Sequence, residues 1–108
     1  MPIHNKLVRN KIPQIIQDAG KTPVTKILNE AEYIMELHKK SDEELKEYLA
    51  AETNEAALEE LADLLEIIHA LAKTHDSSIE EVEKIRVEKA AKRGGFSDKV
   101  FLIEVKDD

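Results

Sequence analysis

Three stretches of the chain repeat apolar residues at helical spacing. In the first, Ile34, Leu37, Leu45 and Tyr48 recur with Ser41 in phase, and Asn29 stands ahead of them as a suitable N-cap. This predicts one long helix from residue 30 to about 51. Any kink belongs at Ser41, which with Glu44 also spells a capping box able to start a new helix. The second stretch runs from a cap at Thr53 or Asn54 to about Lys73 through Leu61, Leu64, Leu65, Ile68 and Leu71. The third opens on a capping box, Ser78 with Glu81, and predicts a helix over about 79–93 that Gly94 and Gly95 stop. A short helix over 13–19 is expected between Pro13, suited to a first turn, and Gly20, suited to a C-terminal cap. Two β-favouring runs remain, at 24–28 and at 100–105, and they are expected to pair. The fold class is therefore all-α, a helical bundle with a short N-terminal helix and a small two-stranded β appendage. Because its helices are apolar on more than one side, association of copies is expected.

A length of 108 residues suits one domain, 1–108, and 42% apolar residues suffice for one core. With two Phe, two Tyr and no Trp, that core must be mainly aliphatic. The net charge of −7 argues against a general nucleic-acid-binding surface, which needs an excess of Lys and Arg, and leaves room only for local basic patches. The absence of Cys excludes disulfides, thiolate nucleophiles and thiolate ligands. No run has the length of a membrane span, and the opening MPIHNKLVRN lacks the apolar core of a signal peptide, so a cytoplasmic location is expected.

Residues 43–63 hold eight acids, and helical phase sorts them. Each residue advances about 100° around the axis, so with Glu60 at 0° the stripe of Ala57, Leu61, Leu64, Ile68 and Leu71 centres near about 60° and Asp63 falls near about 300°. The preceding helix repeats the arrangement with Glu44 and Glu47. When the two stripes pack antiparallel, Glu44, Glu47, Glu60 and Asp63 can converge at one edge of the core. Four clustered carboxylates raise one another's pKa unless a counter-charge is present. An all-oxygen donor set favours Mg²⁺, with Mn²⁺ as a substitute, over zinc or copper. Glu59 and Glu66 point outward, and Glu43 is either surface or a catalytic base. Glu66 with His69 makes one ExxH, whereas a di-iron bundle needs two facing inward.

On the last helix, Arg86, Lys89, Lys92 and Arg93 continue the apolar face of Ile79, Val82 and Ile85. They read either as a phosphate-binding end or as cations snorkelling past a helix C-terminus. The N-terminal Lys6, Arg9 and Lys11 form a second basic cluster, which also reads as a solvated segment.

ELKE at 44–47 and ELAD at 60–63, separated by 12 residues, resemble the ExxE and ExxD motifs of the all-α nucleoside triphosphate pyrophosphohydrolases. That superfamily includes MazG-like proteins and phosphoribosyl-ATP pyrophosphohydrolase. NKLVRNKIPQII at the start and EKAAKRGGF at 88–96 look like the flanks of its small single-domain subgroup, which carries Asp where this chain has Asn10. The resemblance implies a bundle of that type assembled as a homodimer or homotetramer, with Mg²⁺ on Glu44, Glu47, Glu60 and Asp63. It implies hydrolysis of a nucleoside triphosphate between the α- and β-phosphates, with Glu43 or Glu44 acting on the attacking water. Lys6, Arg9, Arg86, Lys89, Lys92 and Arg93 are the candidates to hold the phosphates. Phosphoribosyl-ATP hydrolysis and a catalytically silent binding module are the competing expectations.

Overall fold

In the computed structural model, residues 3–107 are described, and they contain four helices: α1 (Ile12–Asp18), α2 (Glu30–Ala50), α3 (Asn54–Thr74) and α4 (Ile79–Arg93). Local chemistry sets their ends. The Asn29 side chain accepts from the Glu32 backbone N–H while the Glu32 carboxylate accepts from that of Asn29, a complete capping box. Thr53 accepts from the Ala56 N–H, and Ser78 from that of Glu81, one half of the expected box. At the end of α1 the N–H of Gly20 donates to the Gln17 carbonyl and that of Lys21 to the Ile16 carbonyl. This is a Schellman turn, and it needs the positive φ of 82° that Gly20 supplies. α2 runs through Ser41 unbroken, because the Ser41 hydroxyl donates back to the His38 carbonyl at 2.7 Å and does not cap a new helix.

α2 and α3 form an antiparallel hairpin, joined by residues 51–53, and this is the main packed unit. α4 touches α3, while no Cα of α1 comes within 8 Å of another helix. The chain is accordingly extended, 68 × 36 × 23 Å, with a radius of gyration of 18.8 Å where a compact domain of this length would have about 13 Å. The bundle expected within one chain is thus a hairpin with α1 and α4 set apart from its core.

The expected β appendage does not form: among the described residues there is no strand. Residues 24–28 and 100–105 are irregular, and Val24, Ile27, Phe101 and Ile103 stand almost wholly in solvent. A two-stranded ribbon with nothing packed on its face is marginal in water, and no helix covers these runs.

The hairpin's contact face is also rotated from the expected stripe. Leu37 on α2 and Ile67 and Ala72 on α3 are buried, whereas Leu45, Leu61 and Leu65 are exposed. By helical phase Leu37 and Ile67 lie nearer to the acids than the expected stripe does, whereas Ala72, near the end of α3, does not; Glu44 is buried with the first two, with 8% of its surface exposed. The leucines on the far flank face solvent.

Candidate functional site

The hairpin's own symmetry builds the acidic cluster. Glu44 and Glu60 are each eight residues from Glu52 in the turn, so antiparallel packing sets them level, about 12 Å along the axes. Asp63 lies one turn farther from the loop and Glu47 one turn nearer. Carboxylate oxygens of Glu44, Glu60 and Asp63 come within 4.8 Å of one another, as do those of Glu43, Glu44 and Glu47. Glu44 belongs to both groups and joins them. A metal ion could be held by either triad, and the two differ in setting: Glu60 and Asp63 are half-buried, Glu43 and Glu47 exposed.

The inner oxygens lack partners. Oε2 of Glu44 and Oε2 of Glu60 are buried with no hydrogen-bond donor, an arrangement that costs free energy for any charged carboxylate. Burial above all, then the carboxyl of Glu60 and the charge and carboxyl of Glu47, with Asp63 adding, push Glu44 up to about 7. For Glu60 the contact with Glu44 acts downward, but the Glu47 carboxyl, burial and the charges of Glu47 and Asp63 outweigh it, and the group is raised. An acid with a folded-state pKa above its unfolded value of 4.5 binds more protons when folded, so its contribution to stability is present at low pH and is lost as pH rises toward 7. Metal-free protein is therefore expected to show a melting temperature that falls between about pH 5 and pH 7.5, read by calorimetry in a chelator at constant ionic strength. A melting temperature that rose steadily over that range would contradict a strained, protonated Glu44.

A cleft of about 760 Å³ opens beside the cluster, between the N-terminal segment and the hairpin. Glu44 and Asp63 line one part of it, and Lys6, Arg9, Lys11, Lys40 and Lys73 bring five cations to the same space. Tyr33, Glu66 and His69 complete its polar and aromatic wall, over an apolar floor that includes Leu37 and Ile67. Of the expected phosphate contacts, Lys6 and Arg9 are thus placed next to the acids. Arg9 Nη2 donates to Asp63 Oδ1 at 2.7 Å.

The α4 cations lie elsewhere. Arg86, Lys89 and Arg93 line a second cleft, about 390 Å³, with Gly94, Gly95 and Phe96, and it shares no residue with the first. Lys92 is exposed. The Arg86 guanidinium is engaged by Glu83 one turn earlier, its Nε donating to Oε2 at 2.9 Å. Lys40 and Lys73 are the contributors that reading the chain missed. Lys40 had a usable signal, since it precedes Glu44 by four residues and so shares its helix face. Lys73 had none, because only the fold of the N-terminal segment makes its side of α3 into a wall.

No family model and no solved structure matches the chain. Over 54 residues it is 48% identical to an uncharacterised protein of Mycolicibacterium smegmatis, a match that takes in 50% of this chain and 55% of that protein. The matched region thus spans about half the length of that relative. Among the described residues no helix is long and apolar enough to cross a membrane.

Proposed function

We propose that the chain is a metal-dependent nucleoside triphosphate pyrophosphohydrolase of the all-α, MazG-like type, acting on the bond between the α- and β-phosphates. One observation carries this reading: a buried Glu44 with an unpartnered oxygen, grouped with Glu60 and Asp63, opens onto a cleft lined by five cations. A polyphosphate carries the charge that the cations balance, and a divalent ion carries the charge that the acids lack. The donor set is all oxygen, which suits Mg²⁺ or Mn²⁺. The cleft's volume is in the range of small-molecule sites, and Tyr33 offers a base a flat aromatic surface.

Glu44, Glu60 and Asp63, extended by Glu47, would hold the ion. Bound there, a divalent cation supplies charge neutralisation and a water of lowered pKa. Glu43, exposed beside Glu44 and Glu47, is the residue that would orient an attacking water and take its proton. The water oxygen attacks the α-phosphorus, the bond to the bridging oxygen breaks, and the electron pair leaves with pyrophosphate, giving the nucleoside monophosphate. Lys6, Arg9, Lys40 and Lys73 hold the phosphates in line and screen the charge of the leaving group. The same reading includes a second copy of the chain, seated on the exposed leucines of the hairpin.

A panel of nucleoside triphosphates and phosphoribosyl-ATP, assayed with Mg²⁺ for pyrophosphate release, tests the activity. Turnover of at least one substrate is expected, reduced on the order of a hundredfold in Glu47→Gln and Asp63→Asn. Full activity in either variant would show that the carboxylates are not the site. Metal-dependent binding of a non-hydrolysable triphosphate with no turnover of any natural one would instead establish a binding module.

A further inference from the structure

Among the described residues, a single side-chain polar contact ties the N-terminal segment to the hairpin. Arg9 and Asp63 are 54 residues apart. Every other side-chain hydrogen bond or ion pair among the described residues joins groups no more than four residues apart. The pair is half open to water, with Arg9 57% and Asp63 42% exposed, and an ion pair in that setting is weak and exchangeable. It is also incomplete as a counter-charge. Arg9 meets the outermost acid of the triad, whereas the buried oxygens of Glu44 and Glu60 remain without a donor.

We infer that Arg9 is a built-in counter-ion to Asp63 that a divalent cation displaces, and that the freed guanidinium then engages the phosphates of a nucleotide in the cleft. The inference rests on reading the carboxylates as a metal site. A guanidinium on Asp63 Oδ1 places positive charge where the incoming ion must bind, so the two compete for one ligand. The ion brings two charges and reaches the inner oxygens, which the guanidinium does not, and so it wins the exchange. Leu7 and Val8, half-buried along the cleft wall, keep the segment in place while the Arg9 side chain swings. Arginine's planar fork suits both partners, a carboxylate before the exchange and a phosphate after it.

This assigns Arg9 opposite effects on two ligands. In Arg9→Ala, Mg²⁺ alone is expected to bind up to about fivefold tighter, the factor that a surface pair's coupling permits. The same variant, saturated with Mg²⁺, is expected to bind an α,β-methylene triphosphate about tenfold more weakly, through loss of a charge-assisted bond. A merely structural role would weaken both. Calorimetry on the full chain reads the two affinities, and nitrogen NMR of the wild-type Arg9 Nε–H follows the exchange directly as Mg²⁺ is added. Arg9→Lys, which keeps the charge but not the fork, is expected to restore the Mg²⁺ affinity toward wild type and only part of the triphosphate binding. Wild-type protein that binds Mg²⁺ with an unchanged Arg9 signal, or with the same affinity as Arg9→Ala, would overturn the exchange and leave the metal site standing. Wild-type protein that binds no Mg²⁺ would remove the metal site itself, and the exchange with it.

Discussion

Glu44→Gln is expected to make the metal-free protein more stable and, on the proposed reading of the site, to cut pyrophosphate release sharply. The substitution keeps the shape of the side chain but removes its charge, and an amide donates a hydrogen bond to the neighbouring carboxyl of Glu60. At pH 8 wild-type Glu44 is largely ionised, since burial and its acidic neighbours hold its pKa near 7, and the fold then carries a buried, unpartnered charge. Replacing that charge should raise the melting temperature by a few degrees and flatten the fall in stability expected between pH 5 and pH 7.5. On the proposed reading, bound metal also stabilises the wild type, by offsetting that charge instead of removing it. At a tenfold excess of Mg²⁺ over its Kd, wild-type protein gains about 1.4 kcal/mol. For a domain of this size that is a rise of roughly 5 °C or more. Glu44→Gln should lose most of that rise, and pyrophosphate release should drop on the order of a hundredfold, about 2.7 kcal/mol of barrier. Calorimetry with and without Mg²⁺, beside the pyrophosphate assay, reads all three. General damage to the fold would lower stability and activity together, so a melting temperature below wild type at pH 8 would refute the strained carboxylate.

What the chain revealed in advance follows from how locally each feature is encoded. Helix ends were legible because Asn29, Thr53, Ser78 and Gly20 act on backbone groups within three or four residues of themselves, and each expected helix boundary lies within about one residue of the observed one. The convergence of Glu44 with Glu60 was legible too, since helical phase and a three-residue connection both act within the hairpin. The rotation of the contact face was not. Averaging Leu61, Leu64, Leu65 and Ile68 into one stripe merged two different surfaces, one facing α2 and one facing outward. Ile67 falls near about 340°, between Asp63 and Glu60 and away from that average, and it is among the most buried residues of the hairpin. The Arg9 contact joins residues 54 apart, and no short-range pattern encodes that pairing. The β pair failed for a related reason: propensity at 24–28 and 100–105 is only a local preference, and a sheet needs a covering face that this chain does not bring to it.

The outward surface carries the other large prediction. Leu45 and Leu49 on α2 and Leu58, Leu61 and Leu65 on α3 are all exposed, Leu49 to 73%. By helical phase they fall between about 100° and 160° on their helices, counted from Glu44 and Glu60. The two flanks therefore run along one side of the hairpin. Contiguous apolar surface of this kind marks an association site, and a twofold contact between identical hairpins would close a four-helix arrangement that the single chain lacks. Wild-type protein is expected to sediment as a dimer or larger assembly, and Leu61→Lys with Leu65→Lys as a monomer. Each buried Leu contributes about 1.5–3 kcal/mol, so four of them across a twofold contact account for at least about 6 kcal/mol, roughly 10⁴-fold in Kd. Sedimentation equilibrium at micromolar concentration distinguishes the outcomes; a monomeric wild type, or a double variant that assembles unchanged, would refute the contact. The position of the flank also bears on the chemistry. Asp63 and Glu47 lie near about 300°, on the opposite side of Glu60 and Glu44 from the leucines, so copies that meet through the leucines leave the carboxylates and the cationic cleft open to solvent. In the double variant the hairpin should accordingly retain its carboxylate cluster, and whatever Mg²⁺ binding it keeps measures how far the site depends on assembly for its rigidity.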